Sequence, residues 1–160
     1  MNNLLWRITQ CCLVLLTATV VGCSKSEKKT MFTDTDKSEF KVGQVWNYRT
    51  RPGEETSTIV VLKVETAPGW KSIVHIGVTD LKIKTFKGIQ DAIPHMPFDE
   101  AAVKNSVTTK VSDIGKLTDF QEGYGLWREA ASSGKGGVFT ISVAEAVTAV
   151  ETSLKSGRAR

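Results

Sequence analysis

The sequence has few cysteines, and all of them lie near its start. Cys11, Cys12 and Cys23 are the three cysteines among 160 residues. A domain formed by the rest of the chain therefore has no disulfide, no cysteine nucleophile and no cysteine ligand for a metal. Its stability must come from a buried apolar core, for which the chain is long enough.

A strong excess of charge of one sign is also absent. Lys and Arg number 21 against 17 Asp and Glu, which gives a formal net charge of +4. Both signs are mixed along the chain, apart from a small basic excess in the final KSGRAR. Because nucleic-acid binding needs a concentrated basic surface, no nucleic-acid partner is predicted.

The sequence contains no recognisable catalytic set. GKGG at residues 134–137 lacks the earlier glycine, and the Ser or Thr after the lysine, that a phosphate-binding loop requires. The two histidines, His75 and His95, lack the short spacing of zinc or haem ligands. The sequence therefore predicts no catalytic residue, no cofactor and no metal site, and the chain is not expected to be an enzyme.

What the sequence does have at its start is an export signal. Residues 1–22 carry a positive charge at Arg7, an apolar centre over residues 11–21 and small residues before Cys23. The apolar centre is shorter than the roughly 20 residues that span a bilayer. This segment is therefore expected to be removed.

The residues VVGC at positions 20–23 resemble the lipobox of bacterial lipoproteins. The resemblance implies that Cys23 becomes the first residue of the mature protein and is acylated by fatty acids such as palmitate. Ser24 follows where an aspartate would hold a lipoprotein at the inner membrane, so the resemblance implies an outer-membrane protein facing the periplasm. The alternative is an ordinary secreted protein, cleaved nearby, in which Cys23 is a free thiol.

The predicted organisation after the signal is simple. Residues 23–38 form the lipidated N-terminus and a flexible tether, because they are rich in Lys, Ser, Thr, Asp and Glu and show no apolar period. Residues 39–157 form a single domain, and residues 158–160 form a basic tail.

The first half of the domain is predicted to be β-structure. Residues 40–51, 57–65 and 72–86 have strand composition and are separated by the turn signals Pro52-Gly53 and APGW. LKIKTF at the end is either a fourth strand or an extension of the third. In the second strand, Val60, Leu62 and Val64 are expected on one side and Ile59, Val61 and Lys63 on the other. Short connections favour an antiparallel meander.

The second half has the apolar period of helices. Three stripes are formed by Val103, Val107, Val111 and Ile114; by Phe120, Tyr124, Trp127 and Ala131; and by Val143, Val147, Val150 and Leu154. Asp99 and Glu100 begin the first helix, Asp119 caps the second, and Ser142 with Glu145 forms a capping box for the third, which Gly157 ends. The predicted class is α+β: a three- to four-stranded antiparallel meander followed by about three helices on one face.

Two groups of residues are candidates for binding. Arg49, Arg51, Glu54 and Glu55 surround one hairpin, where an arginine can hold a carboxylate or phosphate; the alternative is a solvated turn with weak ion pairs. His75 lies on the strand face opposite Val74 and Ile76, which favours a partly buried sheet histidine with satisfied hydrogen bonds over a functional one. His95, in IPHMPF, is expected to help fix the start of the first helix.

Four segments look like a family of small uncharacterised bacterial proteins: residues 42–65, 73–84, 93–107 and 123–147. This resemblance implies one compact domain and transfers no catalytic residue. The predicted function is that of a membrane-anchored periplasmic lipoprotein whose domain binds a protein, as an envelope accessory factor or an immunity-type inhibitor. The alternative is a small periplasmic enzyme or metal-dependent protein that uses His75, His95 and the hairpin Arg49–Glu55.

Overall fold

A computed structural model describes residues 31–113 and 116–156. The predicted signal, the lipidation site Cys23, the first part of the tether, Gly157 and the basic tail all lie outside these residues. The strands are β1 Thr33–Asp34, β2 Val45–Tyr48, β3 Thr58–Ala67, β4 Trp70–Thr79, β5 Ile83–Thr85, β6 Gly88–Gln90, β7 Ile93–Asp99 and β8 Val107–Ser112. The helices are α1 Glu100–Ser106, α2 Gln121–Ser132 and α3 Val143–Lys155.

The fold is α+β, as predicted. Strands β2, β3, β4 and β7 form an antiparallel meander, and β8 returns to the free edge of β2. The short β1 pairs with the C-terminal part of β3, while β5 and β6 form a separate two-stranded hairpin. The capping box of α3 is present: Ser142 Oγ accepts a hydrogen bond from Glu145 N, and the Glu145 side chain accepts one from Ser142 N.

The helices cover both faces of the sheet, which differs from the expected arrangement on one face. Val103 of α1 and Val147 of α3 pack in the main core with one set of strand residues. Ala131 of α2 packs in a second cluster with Ile73 and Phe32. Val74 belongs to the main core, and its neighbour Ile73 belongs to the second cluster. Because neighbouring strand residues point to opposite faces, the two clusters lie on opposite sides of the sheet. Helix α2 therefore lies on the face opposite to α1 and α3.

The first helix is shorter than predicted. The apolar stripe was expected to continue to Ile114, but α1 ends at Ser106 and residues 107–112 form β8. The segment VTTKVS that follows Ser106 is dominated by β-branched Val and Thr, and such residues fit a strand better than a helix. The Ser106 hydroxyl also donates to Ala102 O and accepts from Val143 N, which fixes the end of α1 against the start of α3.

A bulge changes the predicted sides of β3. Val61 pairs with Ile76 but Lys63 pairs with His75, so Leu62 is an extra residue in this strand. After the bulge Val64 belongs to the main core, together with Ile59 and Val61. The sides expected for Lys63 and Val64 are therefore exchanged. As a result, Lys63 and Glu65 point towards α2.

The second half of the expected tether belongs to the fold. Phe32 is buried, and its ring stacks on Trp70 with a centroid distance of 6.3 Å. Ser38 Oγ donates to Glu100 Oε1 at 2.5 Å, next to the start of α1. These contacts hold residues 31–38 along the sheet. Among the described residues, no helix is long and apolar enough to cross a membrane.

Candidate functional site

The most unusual feature of the fold is a set of buried and half-buried polar side chains between the sheet and α2. Glu65 of β3, His75 of β4, His95 of β7 and Tyr124 of α2 form what we call the polar network. His75 is fully buried and Glu65 is 1% exposed. Buried polar groups of this kind require hydrogen-bond partners, and the four residues supply them to one another.

The hydrogen bonds of the network form a continuous chain. His75 Nδ1 lies 2.9 Å from His95 Nε2, and His75 Nε2 lies 3.1 Å from Glu65 Oε1. The Tyr124 hydroxyl donates to Glu65 Oε2 at 2.9 Å. Lys63 Nζ lies 3.8 Å from the same Oε2 and pairs with Asp34. Both carboxylate oxygens of Glu65 are therefore occupied.

The positions of the protons follow from this geometry. An ionised Glu65 can only accept, so His75 Nε2 carries a proton. His75 Nδ1 then accepts, and His95 Nε2 must donate to it. When both histidines are neutral, His95 Nδ1 carries no proton. It is the one nitrogen of the two rings that can take up a proton without breaking a hydrogen bond of the network.

The pKa values agree with a neutral histidine pair beside an ionised carboxylate. Burial raises the pKa of Glu65, but the hydrogen bonds from His75 and Tyr124 outweigh it and place the pKa below its usual value. Burial lowers the pKa of His75, against the opposing effect of Glu65. Burial and the neighbouring His75 lower the pKa of His95 to about 4. Burial and the bond to Glu65 raise the pKa of Tyr124 to about 12.

Aromatic rings of α2 enclose the two imidazoles. The Trp127 ring meets the His75 ring edge to face, with centroids 4.7 Å apart. Phe120 is stacked over His95, with an interplanar angle of 15°. A Cβ atom on Gly123 would lie 3.0 Å from the Cβ of His95. Gly123 therefore allows α2 to approach the network closely.

A cleft of about 450 Å³ opens beside the network, on the surface between α2 and the N-terminal segment. It follows the edge of β3 between the part paired with β1 and the part paired with β2. The cleft is lined by Asp34, Thr35, Asp36, Phe40, Lys41, Val42, Leu62, Lys63, Val64, Phe120, Gln121, Tyr124 and Arg128. Leu62, Val64 and Phe40 are buried, whereas Asp36, Lys41 and Gln121 are exposed. The cleft thus has an apolar floor and a rim with charges of both signs.

The network and the cleft share Tyr124. Its hydroxyl binds Glu65, while its ring lies in the cleft wall with Lys63 Nζ 5.7 Å and Arg128 Cζ 5.8 Å from the ring centroid. The network fixes the side chain that shapes the cleft. The two histidines are therefore connected to the cleft wall through Glu65 and Tyr124.

The charged hairpin lies apart from the histidines. Arg51 donates to both carboxylate oxygens of Glu54, at 2.8 and 2.6 Å, and to Glu151 of α3 at 2.6 Å. These bonds raise the pKa of Arg51 and lower that of Glu54. Glu55 accepts from Gly53 N, and Arg49 is exposed. Since α3 covers the opposite face from α2, the structure brings His75 and His95 together but not the hairpin with them.

Sequence reasoning did not find Glu65 or the cleft. The helical stripe of Phe120, Tyr124 and Trp127 was identified, but as a core face and not as the cover of two histidines. A weak signal for Glu65 exists in the sequence, since it is the one carboxylate in the mainly apolar strand TIVVLKVETA. His95 lies in strand β7 and contacts α2, so its expected role at the start of the first helix is replaced by its place in the network.

Comparisons with protein families, curated proteins and solved structures gave no match. The resemblances to lipoproteins and to a family of small bacterial proteins therefore stay predictions. Within the part of the chain that the structure describes, no group of three or more His, Cys, Asp and Glu residues has a geometry suited to a metal ion.

Proposed function

We propose that the chain is a lipid-anchored protein of the bacterial cell envelope, held at the outer membrane through Cys23, whose domain binds a protein partner in the cleft beside α2. The domain acts by binding, without catalysis. The lipobox-like residues VVGC support the anchor. The cleft supports the binding role.

The observation that carries the binding role is the chemistry of the cleft walls. Concave surfaces with an apolar floor and a few placed polar groups are the usual form of binding sites. Aromatic and arginine side chains are enriched in protein interfaces, and Phe120, Tyr124 and Arg128 supply them here. The network beneath holds Tyr124 in position before a partner binds, which lowers the entropic cost of binding.

The anchor is tested by metabolic labelling with a fatty-acid analogue. The wild-type chain is expected to be labelled, and Cys23→Ser is expected to lose the label. Two acyl chains suffice for stable attachment, because each buried CH₂ contributes about 0.8 kcal/mol. Unchanged labelling of Cys23→Ser would contradict the anchor.

The binding site is tested with a photo-crosslinking residue in place of Val42, which is 53% exposed at the rim of the cleft. Val111 on β8 is the control position, because it is 56% exposed and lies outside the cleft. We expect a specific crosslinked protein from position 42 alone. Gln121→Trp, which adds bulk at the cleft, should abolish it, whereas Glu122→Trp should not.

Equal crosslinking from both positions would contradict the cleft as the binding site. The identity of the partner separates the two roles within the proposal. A toxin or hydrolase encoded beside this chain indicates an immunity-type inhibitor. A component of envelope assembly indicates an accessory factor.

A second candidate function is favoured by one observation, the chain of hydrogen bonds from Glu65 through His75 to His95. This arrangement presents His95 Nδ1 as a base, as an oriented histidine does in acid–base catalysis. A small enzyme would lose turnover of its bound molecule in His95→Gln, while a binding domain would keep its partner in the same variant. A metal-dependent protein would bind zinc in a calorimetric titration and lose this binding in His75→Ala.

A further inference from the structure

The hairpin of β5 and β6, residues 83–90, is a part of the surface that the cleft and the network do not use. Ile83 pairs with Gln90, Lys84 with Ile89 and Thr85 with Gly88. Phe86 and Lys87 form its two-residue turn. We refer to residues 83–90 as the tip hairpin.

The tip hairpin carries two strongly exposed apolar side chains. Phe86 is 77% exposed and Ile89 is 74% exposed, the highest values among the large apolar residues that the structure describes. Ile83, on the same hairpin, is fully buried in the main core. One face of the hairpin thus anchors it to the domain, and the other face presents apolar groups to the surroundings.

Lysines surround these apolar groups. Lys84 is the cross-strand partner of Ile89, and Lys87 Nζ lies 5.5 Å from the centre of the Phe86 ring. Lys82 precedes the hairpin and is exposed. Asp80 and Asp91 flank the base of the hairpin, away from its turn. The turn end therefore combines apolar and positively charged side chains.

The acidic groups beside β5 are already neutralised. Glu54 is paired with Arg51, and Glu151 is paired with Arg51 and Lys155. The same carboxylates accept hydrogen bonds from the backbone N–H groups of Lys82 at 2.6 Å and Lys84 at 3.1 Å. These contacts hold the hairpin in place and leave its lysine side chains available to an external anion.

We propose that the tip hairpin contacts an anionic phospholipid surface, with Phe86 and Ile89 in the headgroup region and Lys84 and Lys87 on the phosphates. Phe and aliphatic side chains insert at the boundary between headgroups and acyl chains, and lysines near the surface are attracted by anionic lipids. A stable protein interface buries about 800 Å² on each partner. Two apolar side chains at a turn provide far less, and this favours a lipid surface over a protein.

The tip hairpin and Phe32, which lies near the first described residue, are at opposite ends of β4. The chain enters where Phe32 stacks on Trp70, at the start of β4. The tip hairpin follows the other end of this strand of 10 residues, which is about 30 Å long at 3.3 Å per residue. The eight steps from Cys23 to Met31 reach at most about 29 Å. Contact at both points therefore restricts how the domain is oriented on the membrane.

This inference uses the proposed anchor only for its location, and the vesicle experiment is independent of it. The chain from Ser24 to Arg160 retains every described element and has no cysteine. A single cysteine is introduced as Phe86→Cys and labelled with an apolar fluorophore that is sensitive to its environment. Leu126→Cys is the matched control, because Leu126 is 65% exposed and lies on α2.

We expect a blue shift at position 86, but not at position 126, with vesicles that contain phosphatidylglycerol. Vesicles of phosphatidylcholine alone should give a much weaker response. In co-sedimentation of the unlabelled chain, Phe86→Ser with Ile89→Ser and, separately, Lys84→Gln with Lys87→Gln should each reduce the partition coefficient by about tenfold. Circular dichroism checks that the variants are folded.

No shift at position 86, or equal shifts at both positions, would overturn the proposal. Loss of a protein partner in the Phe86 and Ile89 variant, with no binding to vesicles, would also overturn it and identify the hairpin as a protein interface. The anchor and the cleft are measured by fatty-acid labelling and by crosslinking at position 42. Their failure is therefore distinguishable from failure of this inference.

Discussion

The two faces of the sheet are held by different interactions. Between the sheet and helices α1 and α3 lies a continuous apolar core, with fully buried Phe98, Ile76 and Val147. Under α2, by contrast, the buried groups include a carboxylate and a histidine, and the contacts are directional hydrogen bonds between Glu65, His75 and their neighbours.

This difference means that one face mainly stabilises the fold, while the other face mainly determines where side chains lie. Apolar burial is roughly proportional to area and does not depend on direction, so the main core contributes stability without fixing fine geometry. A buried carboxylate costs desolvation energy that its hydrogen bonds must offset. The polar network is therefore a weak source of stability but an effective means of placing Tyr124 and α2. The cleft lies on the α2 side of the sheet, where the network determines the position of Tyr124.

The largest effect is expected from the apolar face. Phe98→Ala removes a fully buried ring that packs on Phe139 at a centroid distance of 5.2 Å. We expect the free energy of unfolding to fall by about 3–5 kcal/mol, measured by urea denaturation. The loss should be the same at pH 7 and pH 5. Phe86→Ala, at a 77% exposed position, is the control and should change stability by less than about 0.5 kcal/mol.

A slightly smaller loss is expected on the α2 face from Glu65→Ala. The change leaves His75 Nε2 and the Tyr124 hydroxyl without their acceptor. These two unsatisfied buried groups cost about 1–3 kcal/mol each. Removal of the buried carboxylate recovers part of its desolvation cost, so we expect a net loss of about 2–4 kcal/mol. Nuclear magnetic resonance should show the largest shift changes in α2. Changes of equal size in α1 and α3 would contradict the separation of the two faces.

The pH dependence of stability should distinguish the faces next. The pKa of His95 is lowered to about 4 in the folded chain, whereas an unfolded histidine has a pKa of about 6.5. The unfolded chain therefore binds more protons between these values, and stability falls as the pH decreases from 6.5 towards 4. We expect a loss of about 1–2 kcal/mol, below the full value of the shift because His95 is partly exposed to water.

The control for this pH effect is a pair of variants. His95→Gln keeps a donor for His75 Nδ1 without a titrating group, so its stability should vary less between pH 6.5 and pH 4.5. Phe98→Leu should lower stability while keeping the wild-type pH slope. Carboxylates with lowered pKa values, such as Glu54 and Glu100, contribute only below about pH 4.5. An unchanged slope in His95→Gln would contradict a neutral histidine pair.

The sequence predicted more of the apolar face than of the α2 face. Periodicity identified the strands β2 to β4, and the capping box of Ser142 and Glu145 located α3. These features depend on residues close to one another in the chain. Strand alternation also placed His75 on the side opposite Val74 and Ile76, whereas its full burial results from the cover by α2.

The polar network depended on features that periodicity does not contain. The bulge at Leu62 turns Lys63 and Glu65 towards α2. A second irregularity lies between β4 and β7, where the single residue between Ile76 and Val78 faces two residues of β7, Pro94 and His95. Bulges are set by the pairing of strands, not by the order of apolar residues. Strict alternation therefore placed Lys63 on the wrong side and left His95 outside any strand.

The smallest expected effect is also the most local test of the α2 face, and it compares two glycines of one helix. A Cβ atom on Gly125 would meet no other atom within 4 Å, whereas a Cβ atom on Gly123 would lie 3.0 Å from His95 Cβ. A glycine in a helix interior costs about 1 kcal/mol relative to alanine. Gly125→Ala should therefore raise the free energy of unfolding by up to about 1 kcal/mol, measured by urea denaturation.

Gly123→Ala gains the same helix propensity but must displace either α2 or His95, which Phe120 and His75 hold from two sides. We expect no net gain or a loss of about 1 kcal/mol, together with a change in the His95 ring resonances that Gly125→Ala does not produce. Equal stabilisation by both substitutions would mean that α2 can move freely over the histidines. In that case the network would not position the cleft. The two faces would then differ in the types of residue they bury, but not in how precisely they hold their helices.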